Sequence, residues 1–449
     1  MTRSSKQLMD SVNALLASPV LADKHFCIAY SGGIDSTVLL HLVSRLGFGD
    51  RVRAAHVNHG LHTSAAEWQA HCAAQCARLG VPFTALKVTV DLQSGAGPEA
   101  AARAARYAAL QGHLRPAEVL LTAHHQRDQL ETVLLALLRG SGPEGLAAMP
   151  RVIRRHGIRI ARPLLSAHPE LICAYAAEHQ LAWVEDASNA EEGFDRNYLR
   201  QQVVPALERR WPSAALAASR GARWCGEAAE ILKELAAADA AGALEGNRLE
   251  LAALRGLSAA RQRNLLRYVG RVLALPPPQA VQLEALLAAL LQDAPHLASA
   301  GHWPGVVVRR YRDRLWFYRA GADPAAVPAA GELSWAYSDE LVLPNECGSL
   351  RWVPAVSGGI SADYLANPVQ VRSRSGGERL RLHSGGPRRP LSKLWQELGV
   401  VPWMRAHVPL VYAGEQLLAV GDLLVNADCR AADSGTGVVI DWRNKPELR

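Results

Sequence analysis

The chain has 449 residues, 49% hydrophobic and 20% charged, which is enough for two or three cored domains and excludes a disordered chain. Its formal charge is +7, a mild bias toward a polyanionic partner. Of its 49 basic residues only Lys6, Lys24, Lys87, Lys233, Lys393 and Lys445 are lysines. The rest are arginines, whose forked guanidinium suits phosphate and RNA. An Ala- and Arg-rich composition also follows from a GC-rich source, and composition alone favours that plainer origin.

Seven cysteines with no Cys-x-x-Cys pair argue against a disulfide framework, a structural zinc or an iron–sulfur cluster. Cys72 and Cys76, four apart, read as two small buried residues on one helix face. Asp10 and Asn13 interrupt any leader core, and no run of 18 apolar residues occurs. A soluble, cytoplasmic protein with no membrane partner is expected.

In chain order, Phe26 to Tyr30 reads as an apolar strand, followed by a Gly-rich turn and a helix from about Asp35 to Leu46. Arg53 to Val57 is a second strand. Ser64 to Leu79 is a helix in which Ser64 and Glu67 fit a capping box and Gly80 ends the run. Phe83 to Val90, Glu99 to His113 and Val119 to Ala123 continue as strand, helix, strand. Apolar strands alternating with helices predict a doubly wound parallel α/β sheet over residues 1–212. Residues 213–325 are Ala/Leu-rich and mainly helical, broken at Pro276-Pro277-Pro278, with a strand pair from Val306 to Arg319 turning at Asp313. Gly321 to Gly331 reads as a loose linker. Residues 335–449 form a small α+β domain with a helix near Leu391 to Leu398.

Ser31-Gly32-Gly33-Ile34-Asp35-Ser36 lies between a predicted strand and a predicted helix. Two glycines let backbone amides approach a phosphate, and the helix start adds positive potential. Asp35 would repel phosphate alone and makes sense as a ligand to bridging Mg²⁺. The plainer alternative, an Asp- or Ser-capped Gly-Gly turn, is outweighed by the strand and helix on either side. No Walker sequence is present. Gly140, Gly142 and Gly145 match a dinucleotide fingerprint but follow a helical pattern (126–139), so they read as a flexible helix exit.

The hexapeptide resembles the loop of the N-type ATP pyrophosphatases, or PP-loop superfamily. Further segments follow it in order: His56-Val57-Asn58-His59-Gly60-Leu61, Glu99 to Tyr107, Ala123-His124-His125-Gln126-Arg127-Asp128-Gln129-Leu130-Glu131-Thr132 and Leu138 to Gly142. Arg162-Pro163-Leu164-Leu165, Glu185 to Asn189, Arg196 to Arg200, Gly376 to Leu380 and Val401 to Arg405 complete the series. Together they resemble the tRNA(Ile)-lysidine synthetase family over nearly the whole chain. The family often carries two adjacent Asp residues after the His-His pair; here the first is Arg127.

That resemblance implies an ATP-dependent ligase joining the ε-amine of free L-lysine to carbon-2 of the wobble cytidine of CAU-anticodon tRNA(Ile), through an adenylated cytidine. It implies ATP and Mg²⁺ as cofactors and admits a homodimer. Ser31, Gly32, Gly33, Ile34, Asp35 and Ser36, with His56 and Asn58, would bind the nucleotide, Asp35 also the metal. Asp128 and Glu131 would hold the lysine. Arg103, Arg106 and Arg200 would contact phosphate or the activated base, although on pattern alone Arg103 and Arg106 read as a solvated helix face. His124 and His125 either close a strand or act in the site, and Asp186, Ser188 and Asn189 read equally as a capping cluster.

Arg309, Arg310, Arg312, Arg314 and Arg319 interleave with Tyr311, Trp316, Phe317 and Tyr318; Arg372, Arg374, Arg379, Arg381, Arg388 and Arg389 form a second basic stretch. Such mixtures suit RNA backbone and unstacked bases. A hairpin with one buried aromatic face fits the first stretch equally well. Among other functions, a tRNA thiolase is disfavoured by the cysteine spacing, and an amidotransferase by the lack of an N-terminal Cys nucleophile. An ATP-sensing RNA-binding protein would leave the acidic pair idle.

Overall fold

The computed structural model describes residues 2–60, 64–90, 98–155, 157–185, 195–291, 301–326, 331–355, 359–432 and 437–448. They form two compact units, Met1–Leu232 and Lys233–Arg449.

The first unit begins α1 (Arg3–Leu16), β1 (Phe26–Ala29), α2 (Ile34–Arg45), β2 (Val52–Asn58), α3 (Ala65–Arg78) and β3 (Phe83–Lys87). It continues α4 (Pro98–His113), β4 (Val119–Leu121), α5 (Gln126–Leu138), α6 (Pro143–Leu146), β5 (Val152–Arg155), β6 (Ile158–Ala161) and α7 (Pro169–Glu178). The sheet order is β3-β2-β1-β4-β6-β5, parallel except for the β5–β6 edge hairpin. This is the doubly wound parallel sheet expected. The two-residue period of a strand explains why both faces are covered. Phe26 and Ile28 join an apolar cluster with Leu39, Leu42 and Val43 of α2 and Leu8 and Val12 of α1. Cys27, between them, joins Ala55, Leu120, Ile160 and Leu110 of α4 on the other face.

Helix boundaries depart from the sequence reading in physically simple ways. Ser64 sits at the start of α3, but its side chain makes no capping hydrogen bond, so no capping box forms. Gly80, at φ +67°, does follow the end of α3. The exit from α5 is tightly built rather than loose: Gly140 takes φ +67°, Pro143 opens α6, and a Cβ on Gly145 would lie 2.5 Å from the Ser141 Cβ. Asp186, Ser188 and Asn189 fall outside the described residues.

After α8 (Asp195–Tyr198) comes a π-helical segment, Leu199–Val203, which runs into α9 (Val204–Arg210). The long α10 (Ala214–Ala240) follows. The second unit then has a hairpin, β7 (Leu244–Glu245) and β8 (Arg248–Glu250), that the helical reading overlooked. Its signal was there: Gly246-Asn247 between alternating residues, with Gly246 at φ +56°. Helices α11 (Leu251–Arg255), α12 (Ala259–Val272) and α13 (Ala280–Leu291) lead to β9 (Gly301–Trp303), β10 (Val306–Tyr311) and β11 (Arg314–Arg319), giving the sheet order β7-β8-β11-β10-β9. Leu265, Leu266, Val269, Leu283 and Leu287 pack on Val306, Val308, Leu315 and Phe317.

The expected linker is not loose where it is described. Ala320–Ala322 and Pro324–Ala326 are 3₁₀ turns flanking a buried Asp323, which accepts two hydrogen bonds from Arg309 at 2.8 and 2.6 Å. The last region holds antiparallel five- and four-stranded sheets and a helix, α14 (Leu391–Glu397). Trp335 and Trp352 stack in its core with ring centroids 4.2 Å apart.

A buried ion pair ties β2 to the start of β4. Arg53 donates to both Glu118 oxygens at 2.7 and 2.6 Å, with both side chains nearly solvent-free. Removing one partner strands the other charge, so Glu118→Ala should cost about 3 kcal/mol of stability by urea unfolding. A double Arg53→Met, Glu118→Leu replacement should recover most of it. An unchanged midpoint in the single variant would show the pair contributes nothing.

Candidate active site

In the order β3-β2-β1-β4 the winding direction reverses between β1 and β4, which opens a crevice at their carboxyl ends. Two segments leave the sheet there: Ser31 to Ser36 after β1, and Thr122 to His125 after β4.

The loop after β1 is held open by its own polar groups. Ser36 Oγ donates to the Gly33 carbonyl at 3.0 Å and lies 3.0 Å from Ser31 Oγ. The Gly32 carbonyl accepts from Thr37 Oγ1 at 3.3 Å and from the Val184 N–H at 2.9 Å. Gly32 has φ +89°, and a Cβ there would meet Cys72 Sγ at 2.9 Å, so both backbone and space demand glycine. No side chain caps α2, whose first N–H groups begin at Ile34. Ile34 packs its side chain into the apolar cluster and gives the loop only backbone. An uncapped helix start beside two hydroxyls has the donors to hold an anion.

His56 and Asn58 stand at the carboxyl end of β2. His56 Nδ1 donates to the Tyr30 carbonyl at 3.0 Å, and burial holds its pKa below the ordinary value. Asn58 accepts from the Gly60 N–H at 2.9 Å and donates to Gln69 at 3.2 Å.

On the other side of the crevice, His125 caps α5 in a reciprocal box: its Nδ1 accepts from the Arg127 N–H at 3.2 Å, and Asp128 Oδ2 accepts the His125 N–H at 2.9 Å. The box explains why a His-His pair can both end a strand and shape a site. His125 Nε2 lies 3.7 Å from Asp35 Oδ1, linking the loop to α5. Asp128 and Glu131, one turn apart, face two arginines. Asp128 Oδ1 accepts from Arg196 and Arg200, each at 2.9 Å. Glu131, with 0% side-chain exposure, accepts from Arg196 Nε at 2.8 Å and Arg200 Nε at 2.7 Å. Burial raises the Asp128 pKa, but His125, His124 and Arg196 outweigh it and hold the carboxyl below its usual range.

The structure thus brings Asp35, Asp128, Glu131 and Arg200 together. Arg103, exposed on α4, lies over the Tyr107 ring at 5.1 Å and close enough to His124 to disfavour its protonation. Arg106 donates to His59 at 3.3 Å. Arg196 is a site residue to which the sequence pattern assigns no role; its four-residue spacing from Arg200 is the available signal.

The Asp35 side chain is 39% exposed, and burial raises its pKa, with Asp128 adding and His125 and Arg200 opposing. One reachable carboxylate fits a magnesium ion that draws its other ligands from phosphate and water. Among the described residues no group of three or more His, Cys, Asp or Glu could hold a metal by itself. Cys72 and Cys76 are buried, and burial pushes both thiols up to about 12.

The arginine-rich hairpin β10–β11 is internally committed. Arg309 binds Asp323, Arg310 is buried and donates to the Leu290 carbonyl, Arg312 donates to Gln396, Arg314 pairs with Glu250 at 2.7 Å, and Arg319 donates to Ala274. Trp316 and Phe317, consecutive on β11, are buried in two separate apolar clusters, so aromatic side chains cover both faces of the hairpin and not the single face expected. In the second basic stretch, Arg372 pairs with Glu332, Arg374 with Glu378, Arg381 and Arg388 with Asp428, and Arg389 with Glu397. Arg379 and Arg388 are exposed there, beside a cavity of about 300 Å³ lined also by Gly376, Gly377 and Tyr412.

Burial holds His124 neutral, with Arg162, Arg196 and Arg103 reinforcing it against Asp128. An unfolded His takes up a proton as pH falls through about 6.5. The unfolded state then binds more protons, so the His124 contribution is complete above that pH and is lost as pH falls below it. Asp128, favoured as an anion, contributes in the same sense at lower pH. Urea midpoints should therefore be flat between about pH 7 and 8 and decline below about pH 6. His124→Gln should make the first part of that decline shallower; an identical slope would exclude His124 as a cause.

Residues 3–207 match the PP-loop domain family, residues 249–316 the TilS substrate binding domain and residues 369–442 the TilS substrate C-terminal domain. A tRNA(Ile)-lysidine synthase from Alkalilimnicola ehrlichii is 45% identical over 402 residues, 89% of each chain. One from Serratia proteamaculans is 40% identical, covering 97% of this chain and 99% of its own, and one from Coxiella burnetii is 40% identical over 89% of each. Among the described residues no helix is long and apolar enough to cross a membrane. With a glycine-rich loop after β1 and an acidic pair on α5 at the carboxyl end of a parallel sheet, and with relatives this similar along nearly its full length, the chain belongs to the tRNA(Ile)-lysidine synthase family, a family of ATP-dependent ligases.

Proposed function

We propose that this chain converts the wobble cytidine of CAU-anticodon tRNA(Ile) to lysidine in two steps. Residues 1–212 carry the chemistry, and residues 213–325 and 335–449 select the tRNA. The observation that supports the reading most directly is a cation-holding carboxylate pair, Asp128 and Glu131, linked through His125 to Asp35 on a phosphate-type loop.

The carbonyl oxygen at carbon-2 of cytidine is a poor leaving group. In the first step that oxygen attacks the α-phosphorus of ATP, the bond from α-phosphorus to the bridging oxygen breaks, and pyrophosphate leaves. The backbone of Gly32, Gly33 and Ile34 and the hydroxyls of Ser31 and Ser36 cradle the phosphates; catalysis of this kind is mainly positioning and charge neutralisation. Asp35 would hold Mg²⁺, which neutralises phosphate charge when bound. His56, neutral at the carboxyl end of β2, and Asn58 border the nucleotide.

In the second step the ε-ammonium of lysine loses a proton, its nitrogen bonds carbon-2, and AMP departs with the former carbonyl oxygen. Asp128 and Glu131 bind and orient the lysine cation. Without substrates they are satisfied by Arg196 and Arg200, so lysine competes with, or shares the pair with, guanidinium groups already there. Arg200 and Arg103 then serve the phosphate or the activated base. A sulfur-transfer reading is disfavoured, because Cys72 and Cys76 are buried thiols with strongly raised pKa values.

Purified protein incubated with labelled lysine, ATP, Mg²⁺ and the CAU tRNA should place label in the tRNA, stable to deacylation and dependent on the wobble cytidine. AMP release without label would retain adenylation and reject lysine as the nucleophile. Asp128→Asn and Glu131→Gln should each lower lysine transfer at least about 100-fold, as loss of a transition-state charge contact does. Transfer at wild-type rates in either variant would refute its assignment to the lysine.

A further inference from the structure

Arg127 is the residue at which this chain departs from the family's paired acids, and the structure gives it a partner. Its Nε and Nη2 donate to Glu208 Oε1 and Oε2 at 3.2 and 2.6 Å, a forked guanidinium–carboxylate pair between α5 and α9. The two side chains are 34% and 17% exposed, so the pair is partly shielded from water.

The same two elements meet at two further levels. Asp128 and Glu131 of α5 hold Arg196 and Arg200, which precede α9. Between these contacts and the Arg127–Glu208 pair, Leu130 of α5 and the fully buried Val204 share one apolar cluster. Along the segment from 195 to 210 the contacts therefore run basic, basic, apolar, acidic, and α5 answers with acids, Leu130 and Arg127. The π-helical turn at Leu199–Val203 carries Arg200, and such turns re-aim side chains at functional sites.

Opposite charges in this order define one register. A slip of one turn would bring Glu208 toward Leu130 and slide Val204 toward the carboxylates. Glu131, which has no exposure, would then lose its cation, a costly uncompensated charge. A surface ion pair is worth little by itself, but a forked pair sharing its helix with a buried charge network can set register.

We propose that Arg127 is a positioning residue: through Glu208 it fixes the 195–210 segment on α5 and so holds Arg196 and Arg200 opposite Asp128 and Glu131. This rests on the reading of those four residues as lysine- and phosphate-handling groups. It has a consequence specific to this chain. Placing the family's Asp at position 127 sets two acids against each other, and the damage is reversible by changing Glu208.

The test uses the full chain with Arg127→Lys, Arg127→Asp, Glu208→Arg and the double Arg127→Asp, Glu208→Arg. The readouts are lysine incorporation into CAU tRNA and hydrogen–deuterium exchange of peptides spanning 195–210 and β1. Arg127→Asp and Glu208→Arg should each lower kcat/KM for lysine about tenfold or more, leave KM for ATP within about twofold, and speed exchange in 195–210 but not in β1. Arg127→Lys should fall between, keeping charge and losing the fork. The double variant should return to within about threefold of the parent in both readouts. Parental exchange and activity in Arg127→Asp would overturn the proposal, and so would a double variant no better than the singles. A parent chain that forms no lysidine would bring down the reading beneath it and the positioning role together; that result shows in the control arm, apart from the variants.

Discussion

Glu131 is a carboxylate with no exposure to water, and much of the first unit's site geometry depends on how it is neutralised. An ion taken out of water is tolerated only if paired and hydrogen-bonded. Arg196 and Arg200 supply both, and Asp128 completes a four-membered network. The segment from 195 to 210 is therefore held on α5 by charge before any substrate arrives. On the proposed function, the lysine cation would take the place of a guanidinium in this network, whose carboxylates already bind cations.

The phosphate loop obeys a different constraint, the need for bare backbone. Gly32 takes a left-handed conformation with Cys72 Sγ close behind it, and α2 starts without a side-chain cap. With Gly33 at the N-cap, forgoing a side-chain cap costs only about a few tenths of a kcal/mol, and the first N–H groups stay open. Asp35 sits in the first turn of α2, where an acid is favoured by the helix dipole, yet burial and Asp128 raise its pKa. A cation beside it would relieve both effects.

The arginine content of the second unit carries less information about RNA than its frequency suggests. Arg309 and Arg310 are structural, and Arg312, Arg314 and Arg319 have partners in the same unit. Internal pairing lowers the free positive charge that an RNA backbone meets. Arg388 is likewise paired, with Asp428, while the exposed Arg379 beside the polar cavity donates to the Arg388 carbonyl.

The alternation of apolar strands and helices determined the doubly wound sheet, because a strand buried on both faces must be apolar throughout and a period of 3.6 marks its covering helices. The hexapeptide from Ser31 to Ser36 was legible for the same local reason: glycines between a strand and a helix have few other uses. The hairpin at Gly246-Asn247 was legible too, though its short strands were lost among helical neighbours. Tertiary structure alone decided which charges meet. Nothing local joins Arg127 to Glu208, Arg53 to Glu118 or Arg309 to Asp323, since each pair is brought together by packing of separate elements. It also decided that Ser64 does not cap α3 and that the arginines of the basic hairpin find their partners within their own unit. Sequence spacing reports which face a residue shares, while the partner across that face depends on how the elements pack.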